Sequence, residues 1–273
     1  MAETASLELD KIIYQLGRAG SRLAEIGAAE GAAGNISVCL RKPLDVSPLF
    51  SQVQDMDLPY HAPELAGMTL IVSGSGRRLR EIAESPLGNL ACVTVDANGR
   101  TGKMFSSPQR KFQRVTSEFN SHLAVHADRM RSTDIALHAI IHAQPIHLTH
   151  LSHVEEYQDE KILSRRLLRW QPEATLNMPE GIGVIPFLLP GSAQLVVETK
   201  LSLRSHQIVV WARHGVMARA DNSILHASDL IEYAETAAHY ETLNLLTDGT
   251  GGGLSTEEIR EIAKSWNVHQ SVY

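Results

Sequence analysis

The pattern of apolar and polar positions alternates between helical and extended stretches, without internal repeats. Between residues 7 and 26, apolar side chains recur at the three-and-four spacing of an amphipathic helix. Short apolar runs bounded by glycine or polar residues then predict strands. The predicted strands are 35–40, 69–72, 90–95, 103–106, 136–141, 182–186, 207–211 and 216–218.

Further helices are predicted at 192–203, 226–246 and 255–266, and another is predicted to begin at Ser117 as its N-cap and to continue through residue 125. Residues 44–67 are predicted to form the longest irregular region, a surface excursion. The order of elements predicts an α/β fold, a mostly antiparallel central sheet covered by helices on both faces. We expect residues 1–273 to form a single domain.

Composition narrows the range of partners. With 43% hydrophobic residues in 273, the chain can bury a sizeable core. The net charge of −6 is spread over interspersed acidic and basic residues, which argues against a nucleic-acid partner. Two cysteines cannot form a disulfide framework, and no apolar run approaches the roughly 20 residues needed to span a bilayer. We therefore expect a cytoplasmic protein with no membrane partner.

Candidate chemistry lies in three separated segments. His142 follows an apolar run and precedes Pro145, a residue suited to the first position of a helix. Glu118 follows Thr116 and Ser117, and His214 precedes a glycine. Either histidine alone is more typical of a hydrogen-bonded core or loop residue, whereas imidazole and carboxylate groups brought together can bind a metal ion.

The order and spacing of these motifs resemble the class II aldolase and adducin superfamily, and within it the rhamnulose-phosphate aldolases. The resemblance covers most of the chain. It implies an α/β sandwich that assembles as a homotetramer, with active sites between subunits. The motifs that carry the resemblance are Gly34-Asn35-Ile36-Ser37, Val72-Ser73-Gly74-Ser75-Gly76, Thr116-Ser117-Glu118, His142, Pro179-Glu180-Gly181-Ile182-Gly183 and His214-Gly215-Val216.

The resemblance implies a divalent metal, most often Zn²⁺, with His142 and His214 as ligands. Gln144 stands where the family usually has another histidine. An amide oxygen is a poorer zinc ligand than imidazole, so the site is expected to bind metal weakly, to favour a harder ion or to recruit another residue, of which His147 is the nearest. By the same resemblance, Glu118 is the acid–base residue.

The resemblance also implies a phosphate site and a contribution from a neighbouring subunit. Phosphate would be bound by neutral donors, because backbone N–H groups at a turn or helix start bind anions without lysine. Ala32 replaces an asparagine of the family. Glu173 would reach a neighbouring subunit's site and act on the aldehyde oxygen. The expected phosphate-binding residues are Asn35, Ser75, Gly76, Thr116 and Ser117.

The implied activity is reversible aldol cleavage of a ketose 1-phosphate, such as rhamnulose 1-phosphate, to dihydroxyacetone phosphate and a short aldehyde such as L-lactaldehyde. A sugar-phosphate 4-epimerase, a decarboxylase, a dehydratase and an adducin-like binding protein without turnover stay open as alternatives. Gln144 and Ala32 favour the last of these, whereas Glu118, His142, His214 and Glu173 oppose it. His122 and His138 are predicted to be structural.

Overall fold

The computed structural model describes residues 2–273, with side chains described from residue 8. Nine strands of this part of the chain form one sheet in the order β2-β5-β4-β3-β1-β6-β9-β8-β7. All pairings are antiparallel except that of the last two strands, which are parallel. The strands are β1 (Asn35–Leu40), β2 (Gln52–Asp57), β3 (Thr69–Ser73), β4 (Leu90–Val95), β5 (Thr101–Ser106), β6 (Leu137–Ala143), β7 (Gly183–Ile185), β8 (Ile208–Trp211) and β9 (Gly215–Asp221).

Helices cover both faces of the sheet, which confirms the predicted fold class. Alternate side chains of β1 separate into two layers, because neighbouring residues of a strand point to opposite faces. Ile36 and Val38 join a core with the first and ninth helices, and Cys39 joins a core with the fourth. The helices are α1 (Ala2–Glu25), α2 (Glu81–Glu84), α3 (Pro86–Asn89), α4 (Phe119–Ser132), α5 (Ile146–Leu151), α6 (Glu160–Leu168), α7 (Pro172–Asn177), α8 (Ala193–Ser205), α9 (Ile224–Leu246) and α10 (Thr256–Ser265).

Two predictions about local structure are wrong. The region 44–67 is not wholly irregular, since it contains β2, an edge strand whose side chains are mostly exposed and therefore show no apolar alternation. Ser117 does not cap α4; Glu118 occupies the cap position, and no side chain caps this end of the helix. The helix also continues seven residues beyond residue 125, to Ser132.

No helix in the described part of the chain combines the length and apolarity required to cross a membrane. The longest helices, α1 and α9, instead pack together on one face of the sheet. The core that they share includes Leu16 and Leu23 of α1 and Leu230 and Ile231 of α9.

Gly20 of α1 permits a close approach of this helix to the backbone just before α2. A Cβ atom at this position would lie 2.3 Å from the carbonyl oxygen of Leu79. We predict that Gly20→Ala lowers the free energy of unfolding by roughly 1 to 2 kcal/mol. The displacement of backbone that it requires outweighs the gain of about 1 kcal/mol in helix propensity. Urea unfolding measures this change.

Gly252→Ala is the matched control, because a Cβ atom there would meet no other atom within 4 Å. We expect it to change the free energy of unfolding by less than about 0.5 kcal/mol. An equal loss in the two variants would contradict the assignment of the Gly20 effect to close packing.

Candidate functional site

Three separate parts of the fold place Glu118, His142 and His214 together. Glu118 precedes α4, His142 lies one residue before the end of β6, and His214 lies in the tight turn from β8 to β9. The turn requires a left-handed backbone at Arg213, whose φ is 64°. One nitrogen or oxygen atom from each of the three site residues lies within 4.8 Å of the others.

The donor atoms of this cluster fit a divalent cation. The Nδ1 atom of His142 is 2.7 Å from the carbonyl oxygen of Val216 and must donate to it, so in the neutral ring the lone pair is on Nε2. This Nε2 atom lies 3.6 Å from Glu118 Oε2, and His214 Nε2 lies 3.6 Å from Glu118 Oε1. Both distances are too long for a hydrogen bond, so the bare Nε2 of His142 faces the carboxylate of Glu118 across a gap.

The electrostatics of the cluster favour a charged carboxylate at Glu118. Burial opposes the charged form of Glu118, but His142, a hydrogen bond from Asn35 and His214 together leave the pKa of this carboxyl below its ordinary value. Burial, followed by the proximity of His142, lowers the pKa of His214. One anion and two imidazole rings are a donor set typical of zinc and related divalent ions.

A small polar cavity of about 170 Å³ opens onto this cluster. Every residue predicted to bind phosphate lines it. Ala32, which replaces an asparagine of the family, lines it too. The backbone N–H of Ser75 donates to the carbonyl of Arg114 at 2.8 Å, so its hydroxyl is the group left for a ligand. The lining consists of Ala32, Ala33, Gly34, Asn35, Gly74, Ser75, Gly76, Thr116, Ser117, Glu118, His142, Gln144 and His214.

Gln144 lines this cavity, whereas His147 does not. The backbone N–H of Gln144 donates to the carbonyl of Ala28 at 2.8 Å, which fixes the chain directly after β6. A Cβ atom on Gly215 would lie 3.1 Å from Gln144 Cγ, so the glycine leaves room for this side chain. His147 instead makes a 2.7 Å contact with Glu235 through Nδ1.

Glu173, predicted to serve a neighbouring subunit, is exposed at the start of α7 and does not line the cavity of its own chain.

Two residues that were not predicted to belong to the site contact its side chains. Trp211 stacks on His142 with ring centroids 4.7 Å apart, and His122 makes a 2.5 Å contact with the Asn35 side chain. The signal for His122 was its position four residues after Glu118, which places both on one face of a helix.

The sequence matches the family described as "Class II Aldolase and Adducin N-terminal domain" over residues 15–242. It is 26% identical to a rhamnulose-1-phosphate aldolase of Listeria monocytogenes, over 94% of this chain and 93% of the relative. A rhamnulose-1-phosphate aldolase of Enterococcus faecalis is 27% identical, over 95% of this chain and 92% of the relative.

The solved structures agree with these relatives. The crystal structure of a sugar-phosphate aldolase from Thermotoga maritima superposes with a TM-score of 0.74 and 27% identity, covering 90% of this chain and 99% of that protein. The family match and these aldolases confirm the predicted enzyme class, a class II aldolase. The chain belongs to the class II aldolase and adducin family.

Proposed function

We propose that this protein catalyses the metal-dependent, reversible cleavage of a ketose 1-phosphate to dihydroxyacetone phosphate and a short aldehyde. Rhamnulose 1-phosphate is the proposed substrate and L-lactaldehyde the proposed aldehyde. The observation that carries the proposal is the cluster of Glu118, His142 and His214 at one end of a polar cavity. The similarity to rhamnulose-1-phosphate aldolases over most of the chain supports the choice of sugar.

His142, His214 and Gln144 would hold the metal, for which we propose zinc. When bound, such an ion polarises a carbonyl oxygen and stabilises the negative charge that develops there. Glu118 then acts as acid and base. In the cleavage direction it gives a proton to the carbon of dihydroxyacetone phosphate from which the aldehyde has left, and in synthesis it removes that proton.

The phosphate would be bound without a positive side chain. Gly76 follows β3 in a turn with φ of 69°, and Thr116 and Ser117, which line the same cavity, precede α4. The hydroxyl groups of Thr116 and Ser117 and the N–H groups of Gly76 and Ser117 are donors of the kind that bind phosphate. Asn35 also lines the cavity, although one N–H bond of its amide is directed to Glu118.

We further propose a homotetramer in which each active site lies between subunits, with Glu173 of one subunit acting on the aldehyde oxygen in the next. The exposure of Glu173 at the start of α7 is compatible with that role. Each subunit would be one domain over residues 1–273, since its strands share a single sheet. We propose a cytoplasmic location, as for other enzymes of sugar-phosphate metabolism.

The decisive experiment is incubation of the zinc-loaded protein with L-rhamnulose 1-phosphate, with dihydroxyacetone phosphate followed by a coupled reductase. We expect release of the triose phosphate that stops on chelation and returns with added zinc. Absence of release from protein with confirmed zinc content would contradict the proposed substrate. Interconversion of pentose phosphates without free triose phosphate would indicate an epimerase instead.

A second prediction concerns the acid–base residue. Glu118→Gln keeps the shape of the side chain and an oxygen that can accept from Asn35, but it cannot exchange a proton. We expect kcat to fall by about 100-fold or more, with the oligomer preserved, as measured by steady-state kinetics and light scattering.

Glu235→Gln is the control for this change. Glu235 is also buried and paired with a histidine, His147, but it lies outside the cavity. We expect it to retain a kcat close to that of the parent protein. Near-parental turnover in Glu118→Gln would contradict the assignment of the base.

A third prediction concerns the metal. Gln144→His should strengthen zinc binding by on the order of tenfold, because imidazole is a better zinc ligand than an amide oxygen. Competition with a fluorescent chelator measures the Kd. The control, His147→Gln, should leave the Kd unchanged, and an unchanged Kd in Gln144→His would place position 144 outside the ligand set.

A further inference from the structure

A chain of buried polar side chains runs from Glu118 into the interior, away from the cavity. It passes through Asn35 and Ser37 of β1, through two histidines of α4 and to one histidine of β6. All four residues beyond Asn35 have no exposed surface. They are Ser37, His122, His126 and His138.

The fold brings these residues together by simple periodicity. Glu118, His122 and His126 are spaced by four and lie along one side of α4. Asn35 and Ser37 are spaced by two and lie on one face of β1. That face continues onto β6, where His142 pairs with Asn35 and His138 pairs with Cys39, the next residue of β1 on the same face.

Each link in this chain has hydrogen-bond geometry. Asn35 Nδ2 lies 2.8 Å from Glu118 Oε2, and Asn35 Oδ1 lies 2.5 Å from His122 Nε2. The hydroxyl oxygen of Ser37 lies 2.6 Å from His122 Nδ1 and 2.7 Å from His126 Nε2. The last link joins His126 Nδ1 to His138 Nδ1 at 2.9 Å.

The direction of every hydrogen bond follows from the carboxylate end. A carboxylate only accepts, so Asn35 presents its N–H to Glu118 and its carbonyl oxygen to His122. His122 must then carry its proton on Nε2. Its Nδ1 atom accepts from the Ser37 hydroxyl.

The same logic continues inward. The oxygen of Ser37 accepts from His126 Nε2–H, so His126 Nδ1 is a bare acceptor and accepts a hydrogen bond from His138 Nδ1–H. This leaves a bare nitrogen at His138 Nε2, an atom that has no hydrogen-bond partner among the described residues. A neutral ring at each histidine thus satisfies every link with a single orientation.

Burial supports neutral rings. It lowers the pKa of His122 to about 3, because the charged form cannot be hydrated there. Burial, followed by the charge of Arg219, lowers the pKa of His138 to about 3 as well. Burial and the proximity of His138 lower the pKa of His126.

We propose that His138, His126, Ser37 and His122 form a one-way chain of hydrogen-bond donors that fixes the amide of Asn35, and through it the carboxylate of Glu118, for proton exchange. The proposal rests on the proposed function of Glu118 as the acid–base residue. These four residues are positioning residues, because Asn35 is the member of the chain that bonds to the reacting carboxylate. If the amide of Asn35 turned over, its oxygen would face the carboxylate and repel it.

A chain of this kind has a specific advantage over an apolar filling. Buried polar groups that bond to one another add little stability over apolar residues of similar volume, which would pack at least as well. Apolar residues cannot choose between the two ends of an amide. A histidine whose tautomer is fixed by its own neighbours can distinguish the oxygen end of the amide from the nitrogen end. Neighbouring hydrogen bonds in such a chain also strengthen one another.

Neutron diffraction from perdeuterated crystals of the unaltered, zinc-loaded protein tests the direction of the chain. We expect deuterium on His122 Nε2, His126 Nε2 and His138 Nδ1, and a Ser37 hydroxyl directed to His122. Deuterium on His122 Nδ1 with a bare Nε2, or on both nitrogens of any of these rings, would overturn the proposal. This measurement needs no substrate, so its outcome is independent of whether the proposed reaction occurs.

Ser37→Ala tests the positioning role. The change removes the donor that fixes the tautomer of His122, so we expect kcat to fall by about tenfold while KM stays within about twofold at full zinc content. Ser164→Ala is the matched control. Ser164 is a buried serine bonded to the backbone of Ile182, outside the cavity, and we expect its kcat to stay within about twofold of the parent.

An unchanged kcat in Ser37→Ala, or an equal fall in both variants, would overturn the positioning role. The diffraction result decides the direction of the chain even if Ser37→Ala fails to fold, because it uses the parent protein. Absence of turnover in the parent itself would overturn the proposed function and leave the proton positions as a separate finding.

Discussion

The antiparallel pairing of β1 with β6 determines where the site is built. It sets Asn35 opposite His142, and because paired residues share a face, both side chains point toward α4. Strand β9 pairs with the other edge of β6 and places the turn containing His214 beside His142. A shift of one residue in the β1 pairing would send Asn35 to the opposite face, so the carboxylate of Glu118 would lose its amide partner.

The sequence predicted the buried central strands well and the β2 edge poorly, for a physical reason. The bounds of β1 and β4 match the prediction, because these strands are buried and form clear apolar runs. Strand β2 is an exposed edge, so its sequence Gln-Val-Gln-Asp-Met-Asp has no apolar face to detect. Helices α6 and α7 were not predicted, since the interval between β6 and β7 contains several short helices without a long periodic stretch.

The sequence also predicted only part of the site. Residues that belong to a recognisable motif were predicted, whereas residues that join the site only through the fold were not. The prediction grouped Glu118, His142 and His214, and one potential ligand atom from each lies within 4.8 Å of the others. His122 and His138 were predicted to be structural. No motif indicates their connection to Glu118, because the links pass through two strands and a helix. Only the register of β1 against β6, together with the four-residue spacing along α4, makes that connection visible.

As the proposed ligand, Gln144 would change the donor offered to a metal without changing the charge of the site. Glutamine and neutral histidine both carry no charge, so glutamine at this position would leave the electrostatic environment of Glu118 nearly constant and would alter only the donor atom offered to the proposed metal. Among the described residues, no hydrogen bond joins the chain behind Glu118 to Gln144, and the direction of the chain follows from the carboxylate and the neutral rings. On the proposed assignments, a change at position 144 would therefore alter the donor atoms offered to the metal and leave in place the hydrogen bonds that hold Glu118 and Asn35.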